Sequence, residues 1–341
     1  MPQEIPPRRK HEMSETLRIG TLGAAGITPA ALMAPASENE DVEVIAVAAR
    51  DKSRANAFAQ RFDIPTVHDT YDDVISDSTL DIIYNPLPIH LHHEYSIKAL
   101  RAGKHVLCEK SFSMNADEAR EMAQVAEETG LVLIEAFHYR YHPVFLTAIE
   151  IFDSGVLGKI RELHAEFTVG TPNAENIRMH HETGGGATMD MGCYPISWVR
   201  HIMREEPKVT AAAATTGNPQ VDMKLEVSMM FSDGAEARTI GSMCDPGFSA
   251  YLLVTGENGA LRVQNPLVPQ HGNKIELTID GEKIRDEELT RRPTYSYQLE
   301  AFVDAVKNGT KLPTDAEDAI KQMELIDAAY IAAGLEPRRT T

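Results

Sequence analysis

From Leu17 onward, short apolar runs alternate with segments whose apolar residues recur at helical spacing, the pattern of a parallel sheet assembled from βαβ units. Runs at 17–22, 42–48, 82–84, 105–108 and 131–135 predict strands, and 29–37, 52–61, 71–75, 93–102 and 116–129 predict the helices between them. Five strands joined by crossover helices make a doubly wound α/β domain over residues 17–137. Beyond Pro143 the period changes. Strands predicted at 160–169, 208–215, 224–231, 235–242, 250–255, 260–263 and 274–279 follow one another with few helices, several across turn signals such as Asp233-Gly234 and Asn258-Gly259. Residues 138–341 therefore read as an α+β domain with a large, open, mainly antiparallel sheet, closed by helices at 297–307 and 315–333. An open sheet leaves a broad face to cover, so a homodimer or homotetramer is expected.

Composition narrows the class. The 341 residues carry 33 basic against 51 acidic side chains, a formal charge of −18, which argues against a polyanionic nucleic-acid partner. Hydrophobic residues at 43% and charged residues at 25% describe an ordinary globular protein. Residues 1–16, with Pro6, Pro7 and the basic run Arg8-Arg9-Lys10, lack an apolar stretch of signal or membrane length and read as a disordered tail. Three cysteines, Cys108, Cys193 and Cys244, offer neither a disulfide framework nor CxxC spacing, and a cytoplasmic location is the simplest reading.

Chemistry concentrates at four places. The first predicted strand runs into Gly23-Ala24-Ala25-Gly26-Ile27-Thr28-Pro29, a glycine-bearing turn whose amides can face a pyrophosphate. The motif is degenerate, with Ala25 at the second glycine of GxGxxG; Thr28-Pro29 also reads as N-cap and first helical residue. After the second strand comes Arg50, suited to a 2′-phosphate and hence to NADP. Asp51 follows, either a helix cap or a ribose ligand that would permit NAD. The strand at 105–108 ends in Glu109-Lys110, placing a lysine at a carboxyl edge where doubly wound folds bind ligands. Gly184-Gly185-Gly186 precedes Asp190 and Tyr194, whose spacing puts both on one face of a helix. The histidines, His90, His92, His93, His138, His142, His180 and His181 among them, have no metal-site spacing. No metal is expected.

Together, Gly23-x-x-Gly26, Glu109-Lys110, Gly184-Gly185-Gly186-x-x-x-Asp190-x-Gly192-x-Tyr194, Leu87-Pro88 and Glu135-Ala136-Phe137-His138-Tyr139-Arg140 resemble the glucose-fructose oxidoreductase/inositol dehydrogenase/MocA family of NAD(P)-dependent oxidoreductases. The likeness is greatest to the branch holding glucose-fructose oxidoreductase and dimeric dihydrodiol dehydrogenase. The resemblance implies that Lys110 contacts the nicotinamide ribose and the reacting oxygen, that Tyr194 donates or accepts the proton, and that Asp190 orients the substrate hydroxyl or the lysine. It implies cofactor contacts from Gly23, Ala25, Gly26, Ile27, Arg50, Asp51, Leu87, His92, Glu109, Lys110 and Arg140. His138 and Arg178 join Lys110, Asp190 and Tyr194 around the substrate. A nearby ammonium is expected to stabilise a Tyr194 phenolate. Departures are Ser111, where the family has proline, Ile89, where it has asparagine, and His138, at a place often apolar. The expected activity is hydride transfer between NADP(H), with NAD possible, and a carbinol carbon of a sugar, cyclic polyol or dihydrodiol. The alternatives are a glycosidase working through transient oxidation and a dinucleotide-binding sensor.

Overall fold

The computed structural model describes residues 16–217 and 220–340; the tail expected over 1–16 lies, apart from Thr16, outside them. A six-stranded sheet is built from β1 (Leu17–Leu22), β2 (Val42–Ala48), β3 (Thr66–Val67), β4 (Ile82–Asn85), β5 (His105–Cys108) and β6 (Leu133–Glu135). All its pairings are parallel and its order is β3-β2-β1-β4-β5-β6. The order reverses between β1 and β4, so the crevice for a ligand opens at the carboxyl ends of those strands. Five strands were predicted here; β3 is the sixth.

The crossovers carry ordinary start and stop signals. A π-helical turn over Pro29–Met33 runs into α1 (Ala34–Ser37). Asp51 caps α2 (Lys52–Phe62), Thr70 and Asp73 form a capping box on α3 (Tyr71–Ser76), and Asn115 caps α5 (Ala116–Thr129), which ends at Gly130 with φ 63°. Between them α4 (His92–Arg101) follows β4. Thr28 departs from its predicted cap role: it has helical φ and ψ and its hydroxyl caps nothing.

After α6 (Pro143–Asp153), absent from the sequence reading, comes an eight-stranded sheet. Its strands are β7 (Ile160–Thr168), β8 (Lys208–Thr216), β9 (Asp222–Met230), β10 (Glu236–Ser242), β11 (Ser249–Gly256), β12 (Gly259–Gln264), β13 (Lys274–Ile279) and β14 (Glu282–Glu287). The order is β14-β13-β12-β11-β7-β10-β9-β8, antiparallel except for the β7–β10 pair. One face packs on α7 (Cys193–Met203) and α6.

The last two helices tie both sheets together. Leu299, Phe302 and Val303 of α8 (Thr294–Asn308) share a core with Leu17, Ile19, Ile82 and Tyr84 of the first sheet. Meanwhile α9 (Ala316–Ala332) lies against α5 and β8. Among the described residues no helix is long and apolar enough to cross a membrane.

Candidate active site

Four neighbouring strand ends of the first sheet supply the site: β1 leads to the glycine turn, β4 to Leu87, β5 to Glu109-Lys110 and β6 to His138. Gly23 has φ 95°, a conformation costly for any side chain, and a Cβ there would meet Leu87 at 3.4 Å. Gly26 and Ile27 are exposed, Ala25 is half-buried, and nothing stands within 4 Å of where a Gly26 Cβ would lie. The Thr28 Oγ1 just behind is buried without a partner. An open turn at a helix start, lined by amides and an unanswered hydroxyl, fits a dinucleotide phosphate.

The Arg50–Arg54 stretch supplies the positive charge beside that turn. Arg50 is exposed and makes no ion pair among the described residues. Arg54, one turn along α2, donates to the Ala24 carbonyl at 3.1 Å and so borders the loop. Lys52 is engaged with Asp69 at 2.5 Å. Asp51 accepts from the Ser53 amide at 2.8 Å and the Ser53 hydroxyl at 2.7 Å, and these bonds hold its carboxyl below the usual range. Its carboxylate is thus occupied as a helix cap.

At the other end, Lys110 Nζ donates to Asp190 Oδ1 at 2.5 Å and to the Asp190 carbonyl at 3.1 Å. Arg178 Nε donates to the second Asp190 oxygen. The lysine side chain is 14% exposed and the aspartate 17%. Burial opposes both charges, yet each stabilises the other: Lys110 sits above its ordinary pKa, and Asp190, with Lys110 and Arg178 beside it, below. The Lys110-Ser111 peptide is cis, and Ser111 Oγ donates to the Met189 carbonyl at 2.8 Å. Asp190 lies in a π-helical turn, Thr188–Gly192, that leads directly into α7 and Tyr194.

Tyr194 is 4% exposed, with Phe137 and Phe167 ring centroids 5.4 and 5.8 Å from its own. Lys110 Nζ stands 5.5 Å from the ring centroid. Burial pushes the phenol well above its ordinary pKa, so the expected lowering by an ammonium is not met: the lysine lies over the ring face and its charge is answered by Asp190. The hydroxyl instead pairs with His138 Nε2 at 3.1 Å. Thr294 Oγ1 donates to the Leu267 carbonyl and lies 2.7 Å from His138 Nδ1. Nδ1 therefore carries the imidazole hydrogen and Nε2 accepts from Tyr194. Burial, with Lys110 second, lowers His138 to about 3 and keeps it neutral. Tyr295 packs on the imidazole at 4.1 Å between centroids; neither it nor Thr294 was foreseen, because α8 reaches the site from 156 residues away.

Other expected residues sit elsewhere. His92 is fully buried with Nε2 2.7 Å from the Leu87 carbonyl and Nδ1 2.9 Å from that of Ser111, so it braces the site from behind. Glu109 turns inward, accepting from Tyr84 at 2.8 Å, and burial raises its pKa. Arg140 lies over Phe145, with Tyr139, Tyr141, Asp318 and Arg204 as its electrostatic neighbours; burial lowers its pKa. The glycine triplet serves the protein's own packing. A Cβ on Gly185 would meet the His180 carbonyl at 2.5 Å, and one on Gly186, at φ 131°, would meet Asp222 at 2.1 Å. Among the described residues no group of three or more His, Cys, Asp or Glu is placed to hold a metal ion.

Comparison with known proteins bears on the same regions. Residues 17–137 match the Gfo/Idh/MocA oxidoreductase family with its NAD-binding Rossmann fold, and residues 145–262 match the Gfo/Idh/MocA C-terminal domain. D-xylose 1-dehydrogenase (NADP(+)) 2 of Haloferax volcanii is 34% identical over 323 residues, covering 93% of this chain and 97% of that one. A trans-1,2-dihydrobenzene-1,2-diol dehydrogenase of Xenopus laevis is 33% identical over 225 residues, 65% of this chain and 67% of that one. Among solved structures, KijD10, a 3-ketoreductase from Actinomadura kijaniata in complex with NADP and TDP-benzene, superposes with a TM-score of 0.87 at 27% identity, covering 93% of this chain and 98% of that one.

Proposed function

The chain belongs to the Gfo/Idh/MocA family of oxidoreductases, and on that premise we propose that it is an NADP(H)-preferring enzyme acting on a carbinol or keto carbon of a sugar-type substrate. What carries this reading is the convergence of Lys110, Asp190 and Tyr194 at the carboxyl edge of β5, beside a glycine turn that Arg50 and Arg54 flank. Bound NADP(H) supplies or takes the hydride.

The chain's own residues manage the oxygen. Hydride transfer to a carbonyl leaves an alkoxide, which a buried ammonium stabilises. Lys110 is kept charged for that purpose by Asp190. Tyr194, whose phenol retains its proton, turns it from His138 Nε2 to that oxygen, and takes it back in the oxidative direction. The substrate oxygen binds between Lys110 and Tyr194; Arg178 holds Asp190, the counter-charge of the lysine, and His138 holds the Tyr194 hydroxyl. Arg50 and Arg54 attract the 2′-phosphate that distinguishes NADP from NAD.

Titrating the purified protein with NADP and NAD, then following nicotinamide absorbance with D-xylose, other aldoses, cyclic polyols and trans-dihydrodiols, tests the reading. Tighter binding of NADP and turnover of one of these classes are expected. Equal or better binding of NAD, or no turnover across the panel, contradicts it.

A further inference from the structure

Past α9 the chain turns back across the molecule toward the Gly184–Asp190 segment. Asn115 Nδ2 donates to the Arg338 carbonyl at 2.9 Å, which anchors this strap to the start of α5. The Arg338 side chain is 1% exposed, its guanidinium centred 4.4 Å from the Tyr330 ring. From there Nε donates to the Gly185 carbonyl at 3.1 Å, and a terminal nitrogen donates to Asp222 Oδ1 at 2.7 Å. Asp222, wholly buried, accepts from Tyr330 at 3.1 Å and, through its other oxygen, from the Thr188 amide at 2.7 Å and hydroxyl at 2.6 Å. Arg338 and Asp222 thus grip residues 185 and 188 from outside the site.

The gripped residues lead straight to the chemistry. The Gly185 amide donates to the His180 carbonyl at 2.9 Å, and the Gly186 amide donates to that of Arg178 at 3.0 Å. Arg178 holds one oxygen of Asp190, and Asp190 holds Lys110. A buried ion pair is a poor device for stability alone, since apolar residues of similar volume do as well or better. What it supplies is a fixed direction for two carbonyl and amide groups. We propose that Arg338 is a positioning residue of the active site: from the C-terminal strap it sets the turn that carries Arg178 and Asp190, and through Asp190 the place of the Lys110 ammonium.

This rests on the function proposed above only for its kinetic readout. Three variants test it: Arg338→Met, Arg338→Lys, and Arg338→Met combined with Asp222→Asn, which relieves the unpaired buried carboxylate. Trypsin cleavage after Arg178, followed by mass spectrometry, reports the loop without any substrate. It is expected to speed up about tenfold in both methionine variants, and KM for the sugar turned over fastest by the wild-type protein is expected to rise about tenfold. KM for NADP rises less than KM for the sugar. Arg338→Lys, which keeps one donor, recovers part of both effects.

If the double variant regains the wild-type melting temperature together with wild-type cleavage and sugar KM, the arginine only balances a buried charge and the proposal falls. It falls too if Arg338→Met, folded, leaves cleavage and sugar KM unchanged. Should the wild-type protein turn over no sugar while the cleavage result is as expected, the functional reading fails and the positioning role stands.

Discussion

Tyr194 keeps its proton because burial among aromatic rings makes a phenolate costly, and Lys110 keeps its charge because Asp190 stands against it. One group is thus held as an acid and the other as a cation. Tyr194→Phe removes the transferable proton while leaving the ring that fills the site, so kcat falls about 10²–10⁴-fold, with NADP affinity and melting temperature near those of the wild type. Fluorescence titration and steady-state rates check this; a variant with full kcat contradicts the role. His138→Phe should also lower kcat, because the Tyr194 hydroxyl loses the acceptor that fixes its orientation. Lys110, Asp190 and Tyr194 stood out in short motifs because they lie where strand β5 ends and helix α7 begins. The His138–Tyr194 bond was not, since it joins positions 56 residues apart. Nothing local records that a histidine after β6 faces a tyrosine of α7.

At the scale of elements, what could be read was what alternates. β2, β11 and β13 bury every second residue over much of their length and were predicted in place. β14 was missed because its sequence, Glu282–Glu287, is charged on both faces with its one isoleucine exposed; it is an edge strand whose charges protect its open side. β3 is two residues long, too short to show a period. In α6, eight of eleven residues are apolar or proline, so its polar face is only the three residues Thr147, Glu150 and Asp153, a sparse signal in an apolar run. At Gly184, Gly185 and Gly186 the close neighbour is protein. A case outside the motif is Gly241 of β10, where a Cβ would stand 2.4 Å from the Gly192 Cα and push the Thr188–Gly192 turn away from the sheet. Gly241→Ala is expected to cost about 1–3 kcal/mol by overpacking and to lower kcat, because Asp190 belongs to the displaced turn. Urea denaturation and initial rates measure the two effects. A stable and fully active variant would mean that this turn does not set the catalytic geometry.

The whole molecule carries a charge of −18, and lowering the pH relieves the mutual repulsion of its carboxylates, which by itself favours the compact state. Buried histidines act in the opposite sense. Burial lowers His92 to about 4, His138 to about 3 and His142 to about 4, against about 6.5 in an unfolded chain. Above pH 6.5 each is neutral in both states and its contribution is complete. Below it the unfolded chain takes up protons that the folded chain refuses, so stability falls by up to about 1.4 kcal/mol per pH unit for each group, until the folded-state values are reached. Asp318, held to about 2 by His201 and Arg200 although burial opposes its charge, adds its loss only below pH 4. Between pH 6.5 and 4 the carboxyls that burial raises, Asp327 to about 6 and Glu109, Glu135 and Asp222 above their ordinary values, act in the opposite sense, so the histidine effect is read by comparing one histidine variant with the wild type. His142, fully buried at the start of α6, accepts from the Val144 amide and faces the Arg292 carbonyl; His142→Gln keeps an amide at that place but cannot titrate. Urea unfolding of both proteins at pH 7, 6 and 5 should give the variant a shallower decline, by about one proton per molecule. Identical slopes would show that His142 is as easily protonated in the folded protein as in the unfolded chain, and that the acid limit of this fold is set by its carboxylates.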